Sequence, residues 1–557
     1  MKVAMAAARK QLTGVTLALL SGLLLGLSFP PADLSWLIWI SLVPLLWATL
    51  DAPHARSAFA YGLITAVVFY LITTYPLMSA HSWSGWQAAA TEAEQTALVS
   101  EQKRALLILW LIWPFFAGSF WALSTLALYS LNHSNYWRIA AFFPPLLIVL
   151  TEWIRSEISF RHHWSFIGNA ALDIPGVLQL SSVGGVWLLS WLVILVNIGL
   201  LAVFRRAARP RREWKLAGAV VLILGSVVIW GSWHEKQLDR IPEGANQLRV
   251  AALQFHSEEY TPADFSSIGI EYSYLDLMLQ ISTGAIGNID LLVLPESVAF
   301  AALSIDGSSV EGLPKELQAP LQDWEQSIAW IINEGESGLI IALGSETIER
   351  SKLFNSMTFW NSDGLQHVYH KQELVPFAEF QPESLKFFSF GQGIRFSPGT
   401  QSSVAEVSGW KVGSFICQEV LTPSVIRNSV RNGAQILISG GNDGVFSNLA
   451  ISEVHAKVAR IRAAETGRYI VRAMKTGVSA VISPTGKELS RSPSIDPYIS
   501  VGSVRPMDSM TLYVRFGDWP IGIAIVLILV GIADYRRQKA LPSAHQVRSK
   551  PLFRSVD

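Results

Sequence analysis

The sequence predicts two kinds of structure in one chain: an α-helical membrane bundle of about eight spans, and a water-soluble α/β domain inserted before the last span. Three observations predict this. Of 557 residues, 50% are hydrophobic and only 15% charged, whereas an ordinary soluble protein is about a quarter charged. Apolar stretches near the roughly 20 residues that cross a bilayer recur before position 235. Residues 245–515 instead alternate short apolar runs with amphipathic segments, the pattern of layered strands and helices.

The expected spans are Leu12–Phe29, Leu34–Leu50, Ala58–Met78, Ala105–Leu128, Ile139–Trp153, Val177–Phe204 and Leu216–Ile229, with an eighth at Pro520–Ala533. The fifth is interrupted by Pro144, Pro145 and Glu152. Seven apolar runs in series with almost no internal charge argue against buried helices of a soluble core. The first run has the basic start of a signal peptide (Arg9, Lys10), but Ser28-Phe29-Pro30-Pro31 lacks a small-x-small cleavage pattern, so a retained helix is expected. This divides the chain into a seven-span region (1–235), the inserted domain (245–515), the last helix (519–535) and a tail (536–557).

Basic residues in short loops set the orientation. Arg205, Arg206, Arg209, Arg211, Arg212 and Lys215 follow the sixth span, and Arg536, Arg537 and Lys539 follow the eighth. Both clusters belong in the cytoplasm. Parity then places both termini inside and residues 245–515 on the outer face of the cytoplasmic membrane. Lys103, Arg104, Arg155 and Arg161 count against this, but the two clusters are larger. The formal net charge is zero, which excludes nucleic-acid binding by bulk electrostatics. Cys417 is the single cysteine, so no intramolecular disulfide exists, and about 270 residues suffice for an unstapled core.

Within the inserted domain, strands are expected at Leu248–Leu253, Leu291–Leu294, Leu339–Leu343, Val412–Ile416, Ile436–Ile438, Tyr469–Val471 and Val478–Ile482. The clearest helix runs from Ala450 to Thr466, with Gly467 placed for a left-handed C-terminal cap. There is no G-x-G-x-x-G after a strand, no Walker lysine, no His/Cys cluster with zinc spacing and no G-x-S-x-G elbow. No metal or cofactor is therefore expected.

Three polar residues sit at or near the ends of apolar runs: Glu296 after Leu291–Pro295, Lys371 after Tyr369-His370, and Cys417 after Val412–Ile416. Strand ends are where α/β folds build sites. A carboxylate can take a thiol proton, and a lysine can stabilise the resulting charge. The same ammonium, with the backbone N–H of Gln418, can stabilise a tetrahedral oxyanion. On residue types alone, a buried structural cysteine and two surface charges are the commoner explanation of these positions.

The surrounding sequence sharpens the reading. Leu294-Pro295-Glu296, the segment from Lys371 through Pro376-Phe377-Ala378-Glu379-Phe380, and Ile416-Cys417-Gln418-Glu419 resemble the nitrilase superfamily and its Glu-Lys-Cys triad. Asn442-Asp443-Gly444, Arg460 through Tyr469, and Thr476-Gly477-Val478-Ser479 continue the likeness. Thr151-Glu152-Trp153-Ile154-Arg155, Gly184 through Ser190, and Tyr513 through Pro520 are similar to the bacterial apolipoprotein N-acyltransferase family. The resemblance covers nearly the whole chain.

That resemblance implies an αββα nitrilase-like sandwich and acyl transfer from a membrane phospholipid to the N-terminal amine of a diacylglyceryl-cysteine apolipoprotein. Cys417 would carry a thioester, Glu296 would be the base, and Lys371 would stabilise the oxyanion. Glu379 and Glu419 match further glutamates of the family. The alternatives are an amidase or an acyltransferase with another acceptor, and a non-catalytic membrane scaffold. Departures from the family pattern fall at Gln418, Val445, His162-His163-Trp164 and Gln254-Phe255-His256. They touch positions expected to line lipid pockets. Exposed loop histidines are expected at His162 and His163. Phe387-Phe388-Ser389-Phe390 is a candidate lid or a core-packing segment, and the outer loop Ser82–Arg104, with Trp83 and Trp86, a candidate interfacial element or a disordered insertion.

Overall fold

The computed structural model describes residues 2–80, 92–132, 143–158, 163–205, 210–240, 246–254, 281, 287–298, 302–310, 328–329, 331–333, 338–376, 378–380, 395–444, 446, 448–493 and 497–540. They form two compact units. One comprises residues 1–78, 107–237 and 516–557, the other residues 79–106 and 238–515.

The first unit is helical. Its elements are α1 (Lys2–Leu27), α2 (Val43–Leu50), α3 (Ala55–Thr74), most of α4 (Glu92–Asn132), α5 (Phe143–Ile158), α6 (Ser181–Phe204), α7 (Pro210–Leu238) and a final helix Trp519–Ala540. Among the described residues, five helical stretches are long and apolar enough to cross a membrane: Ala8–Leu27, Ala55–Ser79, Leu106–Asn132, Val177–Phe204 and Trp214–Leu238. The other three expected spans coincide with shorter helices. The second is broken into a 3₁₀ turn, Ser35–Trp39, followed by the eight residues of α2. Backbone groups freed by such a break need partners inside the protein. Asn197 of α6 supplies them: its Oδ1 accepts from Leu42 N at 2.8 Å, and its Nδ2 donates to Ile38 O at 3.0 Å.

Within α6, Gly184 and Gly185 leave helical geometry, and Gly185 takes a φ of 69° that side chains other than glycine's rarely adopt. Phe69 anchors the core, with its ring 5.5 Å from Phe29 and 5.9 Å from Trp121. Two expectations change. His163 is buried against Phe166 rather than exposed, because the chain after α5 folds back into the core (His162 lies outside the described residues). The outer loop is shorter than expected: from Glu92 onward it is the start of α4, while Trp83 and Trp86 lie outside the described residues.

The second unit is built on two sheets. In the first, β1 (Leu248–Gln254) lies between the antiparallel β13 (Tyr498–Val504) and the parallel β2 (Leu291–Val293). β2 pairs in parallel with β4 (Ile340–Glu349), which continues antiparallel into β5 (Lys352–Asn361) and β6 (Gly364–His370), and β3 (Leu303–Ser304) pairs with β4. The second sheet runs β12 (Glu488–Arg491), β11 (Ala480–Ile482), β10 (Ile470–Met474), β9 (Ile436–Gly441), β8 (Trp410–Ile416) and β7 (Val404–Val407). Its central strands β8, β9 and β10 are parallel.

One hydrophobic core joins the facing sides of the sheets, with Val250, Val293, Met357 and Phe359 from the first and Val412, Ile438 and Val471 from the second. A second core lies on the other face of the first sheet, where Ile328, Ile331 and Ile332 cover Leu292 and Ile341. On the second sheet, α8 (Pro423–Arg431) and α9 (Ala450–Thr466) take the outer position. Gly467 caps α9 at φ 63°, ψ 36°, the left-handed cap the sequence predicts. Each expected strand is present. β3, β5, β6, β7, β12 and β13 were not expected.

Candidate active site

All three candidate residues leave the C-terminal ends of strands. Glu296 follows β2 by way of Leu294-Pro295, Lys371 follows β6 directly, and Cys417 follows β8 directly. Two belong to the first sheet and one to the second, so the sandwich itself brings them together.

Glu296 is held by close backbone packing. Pro295 O accepts from Gly344 N at 3.0 Å, and Val298 N donates to Gly344 O at 2.9 Å. A Cβ at Gly344 would stand 2.5 Å from Glu296 Cα, so only glycine allows β4 to run this close.

Lys371 is 1% exposed and lies between two carboxylates, with Nζ 3.2 Å from Glu296 Oε1 and 2.8 Å from Glu379 Oε1. Asn355 Nδ2 bridges the same oxygens, donating to Glu296 at 2.6 Å and Glu379 at 2.8 Å. Glu379 Oε2 accepts from Val375 N at 2.7 Å. Burial works against the charge on Lys371. Glu296, Glu379 and Cys417 outweigh it and hold the ammonium's pKa well above the ordinary lysine value.

Cys417 opens a short 3₁₀ turn, Cys417–Leu421, and takes φ 52°. A left-handed conformation at a non-glycine residue costs about 1–3 kcal/mol and persists only where the surroundings enforce it. Here it turns the chain at the end of β8, leaving the side chain half-buried, with Sγ 3.9 Å from the Asn442 carbonyl. Burial, then the negative charge of Glu296, pushes the thiol pKa well above its usual value, and Lys371 only partly opposes this. The resting group is a thiol, and it needs a base to become a nucleophile.

Gln418 occupies the second position of the turn and is half-buried. The first N–H groups of a helical turn lack acceptors within it, which suits the backbone of Gln418 to an oxyanion. Glu419 is fully buried and acts as a tie between the sheets. It accepts from Ile416 N at 2.7 Å, from Tyr369 OH at 2.9 Å, and from the backbone N of Gln372 and Glu373 at 2.7 and 3.1 Å. Burial raises its pKa to about 7, against those hydrogen bonds. Glu419 thereby fixes the Lys371 segment beside the Cys417 turn.

Sequence reasoning missed Asn355, whose approach to both carboxylates is set by the β5–β6 register. It also assigned no role to Asp443. That residue pairs with His455 Nδ1 at 2.9 Å and with Arg472 at 3.4 Å. Burial works against the Asp443 charge, but His455 and Arg472 overcome it and keep its pKa below the usual value. Val445, His256 and Phe387–Phe390 lie outside the described residues. Among the described residues no group of His, Cys, Asp or Glu is arranged to hold a metal ion.

The paired sheets and the Glu296, Lys371 and Cys417 strand ends define a nitrilase-fold unit, in a chain whose other unit is a set of apolar helices. Two family descriptions match in the same order: the apolipoprotein N-acyltransferase N-terminal domain over residues 21–199, and carbon-nitrogen hydrolase over residues 249–500. The apolipoprotein N-acyltransferase of Geobacter metallireducens is 27% identical over 518 residues, 90% of this chain and 91% of its own. That of Azotobacter vinelandii is 26% identical over 548 residues, 95% of this chain and 96% of its own. Among solved structures, a nitrilase-superfamily amidase from Nesterenkonia AN1 covers 49% of this chain and 95% of its own at 17% identity, with a TM-score of 0.36. The chain belongs to the apolipoprotein N-acyltransferase family.

Proposed function

We propose that this protein transfers an acyl chain from a membrane phospholipid to the N-terminal amine of the diacylglyceryl-cysteine of a bacterial apolipoprotein, through a thioester on Cys417. The contact of Lys371 with Glu296 and Glu379, beside a thiol turned out of β8, is the observation that carries the reading.

Glu296 takes the Cys417 proton as sulfur attacks the ester carbonyl. Two features require the base to act during attack: the thiol is protonated at rest, and Lys371 is committed to its carboxylates. Negative charge then moves onto the carbonyl oxygen. The Lys371 ammonium and the backbone N–H of Gln418 stabilise it. Collapse breaks the ester C–O bond, and the acid form of Glu296 gives its proton to the departing lysophospholipid oxygen. The lipoprotein amine next attacks the thioester and loses a proton to Glu296. The C–S bond breaks, the amide forms, and the proton returns to sulfur. Each half-reaction balances on one proton carried by one carboxyl, so two lipid substrates use the site in turn. Glu379 and Asn355 hold Lys371 and Glu296 in register. Glu419 holds the cysteine turn against the Lys371 segment.

The protein is a membrane protein. The basic clusters after the sixth and eighth apolar segments support a multi-pass arrangement in the cytoplasmic membrane with the nitrilase-fold unit on the periplasmic side. A two-substrate assay tests the function. Purified full-length protein given a diacyl phospholipid and a diacylglyceryl-cysteine peptide should yield N-acylated peptide and lysophospholipid in equal amounts. Release of ammonia from small amides, with no acylated peptide, would instead make it an amidase.

A further inference from the structure

Beside the triad lies a second carboxylate–ammonium group, a buried glutamate and a half-buried lysine, that the mechanism above does not use. Glu346 is on β4, 1% exposed, and its Oε1 accepts from the Ser297 hydroxyl at 2.7 Å. Lys475 follows β10 in the opposite sheet. Its backbone N donates to Gly441 O at 2.8 Å, and its Nζ donates to the Ser297 carbonyl at 3.3 Å. Ser297 is therefore gripped by its hydroxyl from one sheet and by its carbonyl from the other.

Ser297 directly follows Glu296 and takes φ 53°, a strained value for serine. The flanking peptides are pinned by Gly344 on both sides, at Pro295 O and Val298 N. The Ser297 peptide is the remaining freedom in the Glu296 turn, and the two contacts remove it. We infer that Glu346 and Lys475 are positioning residues that lock the Ser297 turn, and that Lys475, held on the Ser297 carbonyl, places a second ammonium one residue from Glu296. This rests on the reading of Glu296 as the base.

The charged groups around Lys475 are consistent with that role. Burial lowers its pKa, and Glu346 and then Glu296 pull it back up, so both carboxylates are close enough to act on it. Glu296 itself faces Lys371 from the end of β6 and Glu379 beyond it. Glu346 is raised to about 7 by burial, against the Ser297 hydroxyl bond.

Lys475→Met, Lys475→Arg, Glu346→Gln and Glu296→Gln, each in the full-length protein, test this with a diacyl phospholipid and a diacylglyceryl-cysteine peptide. Misplacing a reacting group by about 1 Å costs on the order of 100-fold, so Lys475→Met should lower kcat by that order and leave the phospholipid KM within about threefold. Lys475→Arg should recover most of kcat and move the alkaline limb of the pH–rate profile upward, since guanidinium keeps its proton. Glu346→Gln retains an acceptor for Ser297 and should move the same limb downward. A structural role alone would leave that limb in place in both variants. Wild-type kcat in Lys475→Met, a loss confined to KM, or an unmoved limb in a folded Lys475→Arg would each overturn the inference. If Glu296→Gln is inactive in those cases, the base assignment survives. An active Glu296→Gln would instead sink the base assignment and the inference with it.

Discussion

Both units bury charge, but to different ends. In the helical unit, Glu152 and Arg155 lie one turn apart on α5 and are 1% and 0% exposed. Glu152 accepts from Ile167 N at 2.8 Å, and Arg155 donates to Trp164 O at 3.1 Å with its guanidinium over the Tyr70 and Phe166 rings. These charges fasten the chain that follows α5 through backbone groups and aromatic rings. In the nitrilase-fold unit, Lys371 and its two carboxylates are also buried, yet they stand beside a half-exposed thiol. Buried charge alone does not mark a site. A reactive group that substrate can reach, held against that charge, does.

Substitutions can break this comparison from either side. The largest effect should come from Cys417→Ala. Loss of a nucleophile removes the covalent route, so acyl transfer should fall by at least about 10³-fold, with unfolding free energy within about 1 kcal/mol of wild type. Next is Lys371→Met, which leaves Glu296 and Glu379 facing each other. Breaking a buried pair costs about 3–5 kcal/mol, and loss of an oxyanion donor about 10²–10³-fold in kcat; both losses should appear together. Arg155→Met is the counterpart in the helical unit. It should lower thermal stability by a similar amount while the folded fraction keeps its kcat. A large kcat loss in folded Arg155→Met would erase the distinction between the units.

The pH dependence of stability sharpens it. Burial raises Glu346 and Glu419 from 4.5 to about 7. The folded unit therefore binds more protons than the unfolded chain between those values. That stabilising contribution is complete below about 4.5 and is lost as pH rises through about 7. Denaturant unfolding across this window should show stability falling by up to about 3 kcal/mol per carboxyl, and Glu419→Gln should reduce the slope. The smallest effect expected is Gly344→Ala. The new methyl meets the Glu296 backbone, and overpacking of this kind costs about 1–3 kcal/mol, seen as a lower Tm with a reduced kcat.

The sequence was legible where apolar runs are short and end in a polar residue. That covers the central strands, Gly467 and the positions of Glu296, Lys371 and Cys417. It was not legible where buried strand positions are polar. β4 was expected to stop at Leu343, yet it continues through Ser345, Glu346 and Thr347, all buried. Their hydroxyls pair across to Ser356 and Thr358 of β5, so the hydrophobic pattern that announces a strand is absent there. Asn355 was hidden for the same reason, since its place depends on a strand that alternation does not reveal. In the helical unit, Leu34–Leu50 carries no charged residue to mark an interruption, and its break depends on Asn197, 155 residues beyond Leu42.

The most direct test of the account is the mass of the Cys417 peptide. Full-length protein incubated with a diacyl phospholipid alone should gain one acyl chain on Cys417, labile to hydroxylamine, and lose it when the diacylglyceryl-cysteine peptide is added. An unmodified Cys417 in protein that still acylates the peptide, or an acyl chain on another residue, would contradict the account.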